Sequence, residues 1–247
     1  MLFCTTAIAD TIDINWYVDD TVYDTSTCTV GGDVILPPAP TKRGYTFQGW
    51  RDFKPIKYLE STGTQLIEFN YYANPNTKIY VDFALTTTSQ NNKFIVFGGW
   101  NPLCFGIHYA SVFQVCSYND GTANNLTNSN ATTLSRNVVI LDATNHVEEW
   151  GNVQINSQTI TGKNVASLST TNTSTSKFSL FGVPTTPSKN ALARIYRFKL
   201  WDNGDLIYDI IPVLDHNSVP CMYDLVSNQF FYNAGTGDFI AGPVINQ

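Results

Sequence analysis

The sequence predicts an all-β fold, and three observations support this prediction. Charged residues make up 14% of the 247 residues, against roughly 25% in typical soluble domains, so Thr, Asn, Ser and Gln supply much of the polar surface. This composition suits strands and turns and lacks the Glu, Lys and Ala that helices prefer. Short apolar runs separated by turn residues recur along the chain, and helical periodicity does not appear over a useful length.

Charge and hydropathy exclude two classes of partner. The net charge is −6 and the one basic cluster is Lys42-Arg43, whereas a nucleic-acid binder needs a stripe of Lys and Arg to displace counterions from phosphates. No uninterrupted apolar stretch approaches the roughly 18 residues that a membrane span needs. We therefore expect no nucleic-acid partner and no membrane span.

The first residues, 1–9, are interpreted as the remnant of a signal peptide. Leu2 and Phe3 precede Ala7-Ile8-Ala9, which has the small-x-small pattern of a signal-peptidase site and would make Asp10 the mature start. The alternative is an ordinary first strand. The signal predicts a secreted, extracellular or cell-surface protein, with the periplasm as a further location.

Residues 10–53 form the first predicted domain. Its sequence reads as strand, turn, strand, Pro-rich crossing and strand, with Gly31-Gly32 and Pro37-Pro38 as breakers. The ending "LPPAPTKRGYTFQGW" resembles the Listeria–Bacteroides repeat, the B-repeat module of internalin-type surface proteins. The resemblance implies a small β-grasp-like spacer module, which is usually repeated but occurs once in this chain.

Residues 54–247 form the second predicted domain. In "IYVDFAL", residues 79–85, large apolar residues at every second position alternate with Tyr80, Asp82 and Ala84. This pattern predicts a strand with one buried and one exposed face. The segments "KFIVFGGW", "VFQVCSY", "NVVILD" and "KFSLFG" follow the same style. Many short strands with turns between them are typical of an antiparallel sandwich or barrel.

One hairpin of this domain can be predicted in detail. In "RFKLWDNGDLIYD" the pair Asn203-Gly204 suggests a two-residue turn, but that register would place Phe198 opposite Asp209. A three-residue loop, Asp202-Asn203-Gly204, places Phe198 opposite Tyr208. On the other face of the hairpin it places Arg197 opposite Asp209. Because a one-residue slip inverts a whole face of a strand, we predict the three-residue loop.

The cysteines predict one disulfide bond. Of the five cysteines, four lie outside the signal-like segment, and no C-x-x-C motif supports a zinc ribbon or redox site. Centring the turn of "CFGIHYASVFQVC" on Ala110 sets Cys104 opposite Cys116, and directly opposed residues of an antiparallel pair can meet disulfide geometry. Cys28 and Cys221 would pair across the two domains or stay reduced.

The second domain, from about residue 58 to residue 243, resembles the concanavalin A-like jelly rolls of the laminin-G type found in bacterial surface and phage-associated proteins. The residues that carry the resemblance are "YLESTGTQLIEF", "KIYVDFAL" and the block from "ARIYRFKLWDNGDLIYDIIPVLD" to "VPCMYDLVSNQFFYNAGTGDFIAGP". The resemblance implies a two-sheet antiparallel jelly-roll sandwich that binds glycans or proteins, often with calcium, through variable rim loops.

Catalytic motifs are not found. A glycosidase needs two carboxyl groups flanking the scissile bond, and retaining jelly-roll hydrolases carry them as E-x-D-x-x-E. The four glutamates are Glu60, Glu68, Glu148 and Glu149, none with Asp two residues later. The sequence also lacks a G-x-S-x-G elbow. We therefore expect no enzyme activity.

Binding candidates lie near predicted loops. Trp100 in "GGWNP" and Trp150 in "EEWGN" could stack on a sugar, although a tryptophan at a strand end can equally cover the core. Asp202 and Asp205 in "DNGD" could bind Ca2+ through carboxylate oxygens, although Asp, Asn and Gly are also the ordinary residues of turns. The stretch "MYDLVSNQFFYNAGTGDF", residues 222–239, reads as strands and turns rather than a site.

These observations predict a non-catalytic recognition protein that binds glycans or protein partners through loops held by a rigid sandwich. The first alternative is a structural subunit of an extracellular assembly, in which jelly rolls pack against copies of themselves. The second alternative is a glycoside hydrolase with an unrecognised site.

Overall fold

The computed structural model describes residues 10–18, 21–44, 49–99, 104–110, 113–119, 124–125, 134–144, 153–159 and 173–245. The predicted signal remnant, residues 1–9, lies outside these ranges. The described residues belong to two compact units that divide between Asp52 and Phe53. Their regular structure is strand except for one 3-10 turn at Pro187–Lys189, which confirms the all-β class. Within them, no helix has the length and apolar character to cross a bilayer.

The first unit contains an antiparallel hairpin of strands β1 (Thr11–Val18) and β2 (Thr21–Thr29). Trp16 packs against Trp50, with ring centroids 5.1 Å apart. The Trp50 indole donates a hydrogen bond to the carbonyl of Pro37 at 3.1 Å. The two tryptophans thus join the Pro-rich segment to the hairpin. Residues 45–48 of the predicted third strand lie outside the described part, and the β-grasp topology stays a prediction.

The second unit is a sandwich-like arrangement of two antiparallel sheets. Its strands are β3 (Lys54–Pro55), β4 (Leu59–Thr62), β5 (Ile67–Glu68), β6 (Thr77–Leu85), β7 (Asn91–Gly99), β8 (Cys104–Ala110), β9 (Phe113–Asn119), β10 (Asn124–Asn125), β11 (Asn137–Asp142), β12 (Val153–Ile155), β13 (Gln158–Thr159), β14 (Ser179–Leu180), β15 (Leu192–Asp202), β16 (Asp205–Leu214), β17 (Pro220–Asp224), β18 (Phe230–Phe231) and β19 (Ile240–Ala241). The smaller sheet has the order β10-β9-β8-β7-β14-β5. The larger sheet has the order β13-β12-β11-β6-β15-β16-β17-β18. Three further strands join this sheet: β4 pairs with β15 and β19, and β3 pairs with β16.

The inward faces of the two sheets share one hydrophobic core. Phe69 follows β5 and is fully buried. Its ring contacts Phe178 beside the smaller sheet at 6.2 Å and Phe198 in the larger sheet at 5.6 Å. It also lies 5.0 Å from both Tyr208 and Phe231. Phe69 therefore joins the two layers at their centre.

The alternation predicted for residues 79–85 appears in the burial of β6 up to Val81, whereas Asp82 and Ala84, predicted outward, are also buried. Ile79, Val81 and Phe83 are fully buried in the core, whereas Lys78 and Tyr80 are half-buried on the opposite side of the strand. Because side chains of a strand alternate between the two faces of a sheet, β6 contributes both to the core and to the outer surface.

The three-residue loop predicted between β15 and β16 was wrong. The turn is the two-residue pair Asn203-Gly204, with φ angles of 51° and 89°, which suits Asn and Gly in a hairpin. The register then shifts at a β-bulge that leaves Ile207 unpaired, so that Phe198 lies opposite Ile210. The extra residue in β16, rather than a longer turn, keeps the apolar side chains of the two strands on the same face. Phe198 and Ile210 are both buried.

The register predicted for β8 and β9 was also wrong, by two residues from Phe105 to Tyr109 and by three at Cys104, where a bulge shifts the pairing. Cys104 lies opposite Asn119 and Cys116 lies opposite Gly106, so the direct opposition that supported a Cys104–Cys116 disulfide is not met. A slip of two residues keeps the same residues on the same face, and side-chain phase could not distinguish the two registers. The side chains of both cysteines lie outside the described part of the structure.

The stretch at residues 222–239 packs as strand and turn, as the sequence indicates. The Thr236 amide donates to the carbonyl of Thr64 at 3.0 Å, and the Ala234 amide donates to Leu66 at 2.9 Å. Gly235 lies so close that an added Cβ would be 2.2 Å from the Thr64 oxygen. The glycine is therefore required by backbone contact.

The two ends of the second unit lie side by side. Val244 forms a β-bridge with Ile56, and the Ile245 amide donates to the carbonyl of Pro55 at 2.8 Å. Three residues further along, β19 pairs with β4. These contacts place the last described residues against the first strands of the unit.

Gly235→Ala should lower the free energy of unfolding by about 1–3 kcal/mol, because the new methyl group must displace the 64–66 backbone. Urea denaturation monitored by tryptophan fluorescence measures this change. Thr236→Ala is the control in the same loop and should have an effect within about 0.5 kcal/mol, because the described bonds of Thr236 use its backbone. Equal stability of the two variants would contradict the assignment.

Candidate functional site

The outer face of the larger sheet concentrates charged and aromatic side chains. We call this surface the charged face and define it by Tyr58, Glu60, Lys78, Tyr80, Asp82, Arg136, Asp142, Arg194, Tyr196, Arg197, Lys199, Trp201 and Asp209. These residues come from β4, β6, β11, β15, β16 and the segments just before β4 and β11. The inward neighbours on the same strands fill the core, which directs these side chains to the opposite side.

The strand register arranges the charged face in rows. Lys199 in the central strand β15 lies between Tyr80 of β6 and Asp209 of β16. In the next row, Arg197 lies beside Asp82. Neighbouring strands are about 4.8 Å apart, so side chains within a row are in contact range.

Two bidentate ion pairs form the centre of the charged face. Arg197 donates from Nε and Nη2 to the two carboxylate oxygens of Asp209, at 2.9 and 2.8 Å. Arg136 donates in the same way to Asp82, at 2.7 and 2.6 Å. Lys199 Nζ also lies 3.2 Å from the Asp209 carboxylate. Bidentate pairs fix the orientation of both side chains, so this region is preorganised.

Two further ion pairs extend the array. Arg194 Nε donates to Glu60 at 2.6 Å, and Lys78 Nζ lies 3.1 Å from Asp142. Five cations therefore face four carboxylates in these pairs. The charged face carries one surplus positive charge, although the whole chain has a net charge of −6.

The cations of the charged face lie above the carboxylates. The five cationic side chains are 26–59% exposed, whereas the four carboxylate side chains are 5–20% exposed. Solvent therefore meets ammonium and guanidinium groups first, with the negative charges beneath them. The exposed layer is positive.

Two aromatic rings of the charged face, those of Tyr58 and Tyr196, are covered by arginines. The Arg194 guanidinium lies 4.5 Å from the ring centroid of Tyr58, and that of Arg136 lies 4.3 Å from the ring of Tyr196. Tyr58 and Tyr196 meet edge to face at 5.6 Å. Such cation–π contacts hold both partners in place. The charged face thus presents cations rather than bare aromatic rings.

The protonation of the charged face follows from its contacts. Burial acts to raise the pKa of Asp209, but hydrogen bonds and charges from Arg197 and Lys199 outweigh burial and hold this pKa below its ordinary value. Burial and the charge of Asp82 raise the pKa of Tyr80, with opposition from Arg136 and Arg197. A glycosidase acid needs a raised carboxyl pKa, and Asp209 has the opposite shift.

A buried aspartate supports the charged face from its edge. Asp224 is fully buried, and its Oδ1 accepts a hydrogen bond from the Asp209 amide at 2.8 Å. It also accepts hydrogen bonds from the amides of Val226 and Ser227 and from the Ser227 hydroxyl. Asp224 therefore fixes β16 and the turn after β17 together, which sets the position of Asp209.

The predicted loop sites are placed as follows. Trp100 and Trp150 lie outside the described residues, and the glycan prediction for them stays a prediction. Asp202 lies opposite Asp205 across the turn and accepts hydrogen bonds from Tyr71 at 3.2 Å and from Asn74 at 3.1 Å. Across the described ranges, no group of three or more His, Cys, Asp or Glu side chains could hold a metal ion. The calcium site stays a prediction.

Cys28 and Cys221, the two cysteines whose side chains the structure describes, are free thiols, and both are buried. Burial, with the nearby charge of Asp215, raises the pKa of Cys221 to about 12. A protonated buried thiol is unreactive. Cys221 therefore has a packing role beside Phe53 and Val213.

Most of the charged face was missed by sequence reasoning. Only the contact between Arg197 and Asp209 was predicted, from the hairpin. The ion pairs of Arg136 with Asp82 and of Arg194 with Glu60 join segments 54 and 134 residues apart. The available signal was the recurrence of charged residues at outward positions of successive strands.

No family model, curated protein or solved structure matches this chain. The resemblances to the Listeria–Bacteroides repeat and to laminin-G jelly rolls therefore stay predictions.

Lys199→Gln should raise the pKa of Asp209, because it removes one hydrogen bond and one positive charge. A lowered native pKa means that ionised Asp209 stabilises the fold above its unfolded pKa of about 4. This contribution is lost as the pH falls through the native pKa, and the variant should lose it at a higher pH. Carboxyl-carbon NMR titration and urea unfolding between pH 2 and 7 measure both effects.

Lys177→Gln is the matched control for this titration, because Lys177 pairs with Glu68 at 2.8 Å. It should leave the titration of Asp209 unchanged. An Asp209 pKa that does not respond to Lys199→Gln would contradict the described ion pair.

Proposed function

We propose that this protein is a non-catalytic recognition protein, secreted or at the cell surface, whose second unit binds glycans. The observation that carries the proposal is the charged face. Its polar groups are held in a fixed array by bidentate ion pairs, and binding to a preorganised surface loses little conformational freedom. Ligand hydroxyl and carboxylate groups match exposed guanidinium and ammonium donors.

The state of Asp209 supports recognition rather than hydrolysis. Asp82 and Asp209 are each engaged by a bidentate arginine, and the pKa of Asp209 is held below its ordinary value by Arg197 and Lys199 against the effect of burial. Asp209 is therefore ionised at neutral pH, so it cannot serve as a proton donor to a leaving group.

We also propose that the two sheets follow the jelly-roll connection of laminin-G domains. The antiparallel pairing in both sheets and their shared core support this topology. Under this proposal Trp100 and Trp150, which the sequence predicts near rim loops, provide further ligand contacts.

A glycan array probed with the intact chain tests this function. We expect binding that Trp100→Ala or Trp150→Ala weakens by about tenfold or more, as for side chains central to a contact. Tyr72→Ala is the control, since Tyr72 is 41% exposed and lies outside the charged face. Absence of binding to every glycan would contradict the proposal, and release of reducing ends from a polysaccharide would indicate a hydrolase instead.

A second candidate function, a structural subunit of an extracellular assembly, is supported by the first unit. Its exposed apolar side chains include Ile12, Tyr17, Val22, Val30, Ile35 and Leu36, at 49–74% exposure. Exposed apolar surface often marks sites of protein association. Sedimentation velocity over a range of concentrations would show polymerisation without ligand if this function holds, and a monomer at every concentration would contradict it.

A further inference from the structure

We propose that the charged face binds an acidic polysaccharide, whose carboxylates lie on Arg197 and Lys199 of strand β15. The inference rests on the proposed function of glycan recognition and specifies its ligand class. Four features of the charged face support it.

The first feature is the layering of charge. The cations are the exposed members of each ion pair and the carboxylates are the buried members. An approaching ligand therefore meets positive groups at short range, and the negative groups are farther away. Because electrostatic energy falls with distance, an anionic ligand is favoured over a cationic one.

The second feature is the surplus cation at the centre. Arg197 and Lys199 share the single carboxylate of Asp209. One carboxylate from a ligand would give each cation its own partner. Arg197 uses Nε and Nη2 for Asp209, and a guanidinium has five N–H donors, so the Nη1 edge remains for the ligand.

The third feature is the linear arrangement along β15. Arg194, Arg197, Lys199 and Trp201 lie on the outer side of this one strand. The seven residue steps from Arg194 to Trp201 span at most about 23 Å, because a β-bulge at Tyr196 interrupts the strand between Arg194 and Arg197. The resulting row of cations along one strand suits an extended polymer. Tyr80 of β6 lies opposite Lys199, and its hydroxyl can donate to sugar hydroxyls.

The fourth feature separates a polysaccharide from other occupants. A second copy that docked by the same face would oppose two positive layers, which is unfavourable. An acidic protein segment would gain most from apolar anchors in pockets. On the described face, however, the rings of Tyr58 and Tyr196 are covered by arginines. A hydrophilic polyanion fits this surface better.

Binding of the intact chain to polygalacturonate, with neutral dextran as the comparison, tests the inference by biolayer interferometry at low ionic strength. The variant Lys78→Gln/Lys199→Gln removes two cations and leaves the bidentate arginine pairs in place. The control Lys93→Gln/Lys177→Gln makes the same change in net charge on and beside the smaller sheet, where Lys93 donates to the Ser188 carbonyl and Lys177 to Glu68. Circular dichroism and melting temperature check that both variants are folded.

We expect polygalacturonate to bind and dextran to bind at least about tenfold more weakly. The charged-face variant should lose about tenfold in affinity for polygalacturonate, and the control less than about twofold, because separated surface charges are screened. Added salt should weaken the wild-type complex.

Equal losses in the two double variants, or equal binding of dextran and polygalacturonate, would overturn the inference. Tighter binding of poly-glutamate than of polygalacturonate would also overturn it and assign the face to an acidic protein segment. If the glycan array shows neutral ligands and polygalacturonate does not bind, this inference fails while the proposed function stands. If no glycan binds in either experiment, both fail.

Discussion

The alternation of strand β15, which one β-bulge at Tyr196 interrupts, is the constraint on which the rest of the second unit depends. This strand pairs with β6, β16 and β4, so its inward side chains meet the core and its outward side chains meet three neighbours. Phe198 and Leu200 are fully buried, whereas Arg197 and Lys199 lie on the charged face. The same eleven residues therefore hold the layers together and align the cations.

Much of the fold could be predicted because alternation is local information. The pattern of β6 was readable directly from "KIYVDFAL", and the C-terminal turns from their glycines. Register was less accessible. In the β8–β9 hairpin, two registers differ by an even number of residues and bury the same side chains, so the opposition of Cys104 and Cys116 could not be decided. In the β15–β16 hairpin, a bulge at Ile207 supplies the extra residue that sequence reasoning placed in the turn.

The candidate site was less predictable than the fold because its residues come from distant parts of the chain. Arg136 lies just before β11, yet its guanidinium binds Asp82 of β6 and covers the ring of Tyr196. No local pattern joins these three residues. Sequence reasoning looked for tryptophans and acidic turns near loops, whereas the described structure places its densest polar array on a sheet. Ion pairs hold these side chains in fixed positions, and the exposed cations give the surface a positive electrostatic potential. Both properties suit selective binding.

The contact between the two ends of the second unit has a consequence for its connectivity. Because Val244 bridges Ile56 and the Ile245 amide reaches Pro55, the polypeptide enters and leaves the sandwich at one place. Units with adjacent ends tolerate insertion into other chains and rearrangement of chain order. A circular permutant that links residue 245 to residue 53 and opens at the exposed Asn203-Gly204 turn would keep every sheet pairing except the closing turn, so the sandwich is organised as a transferable module.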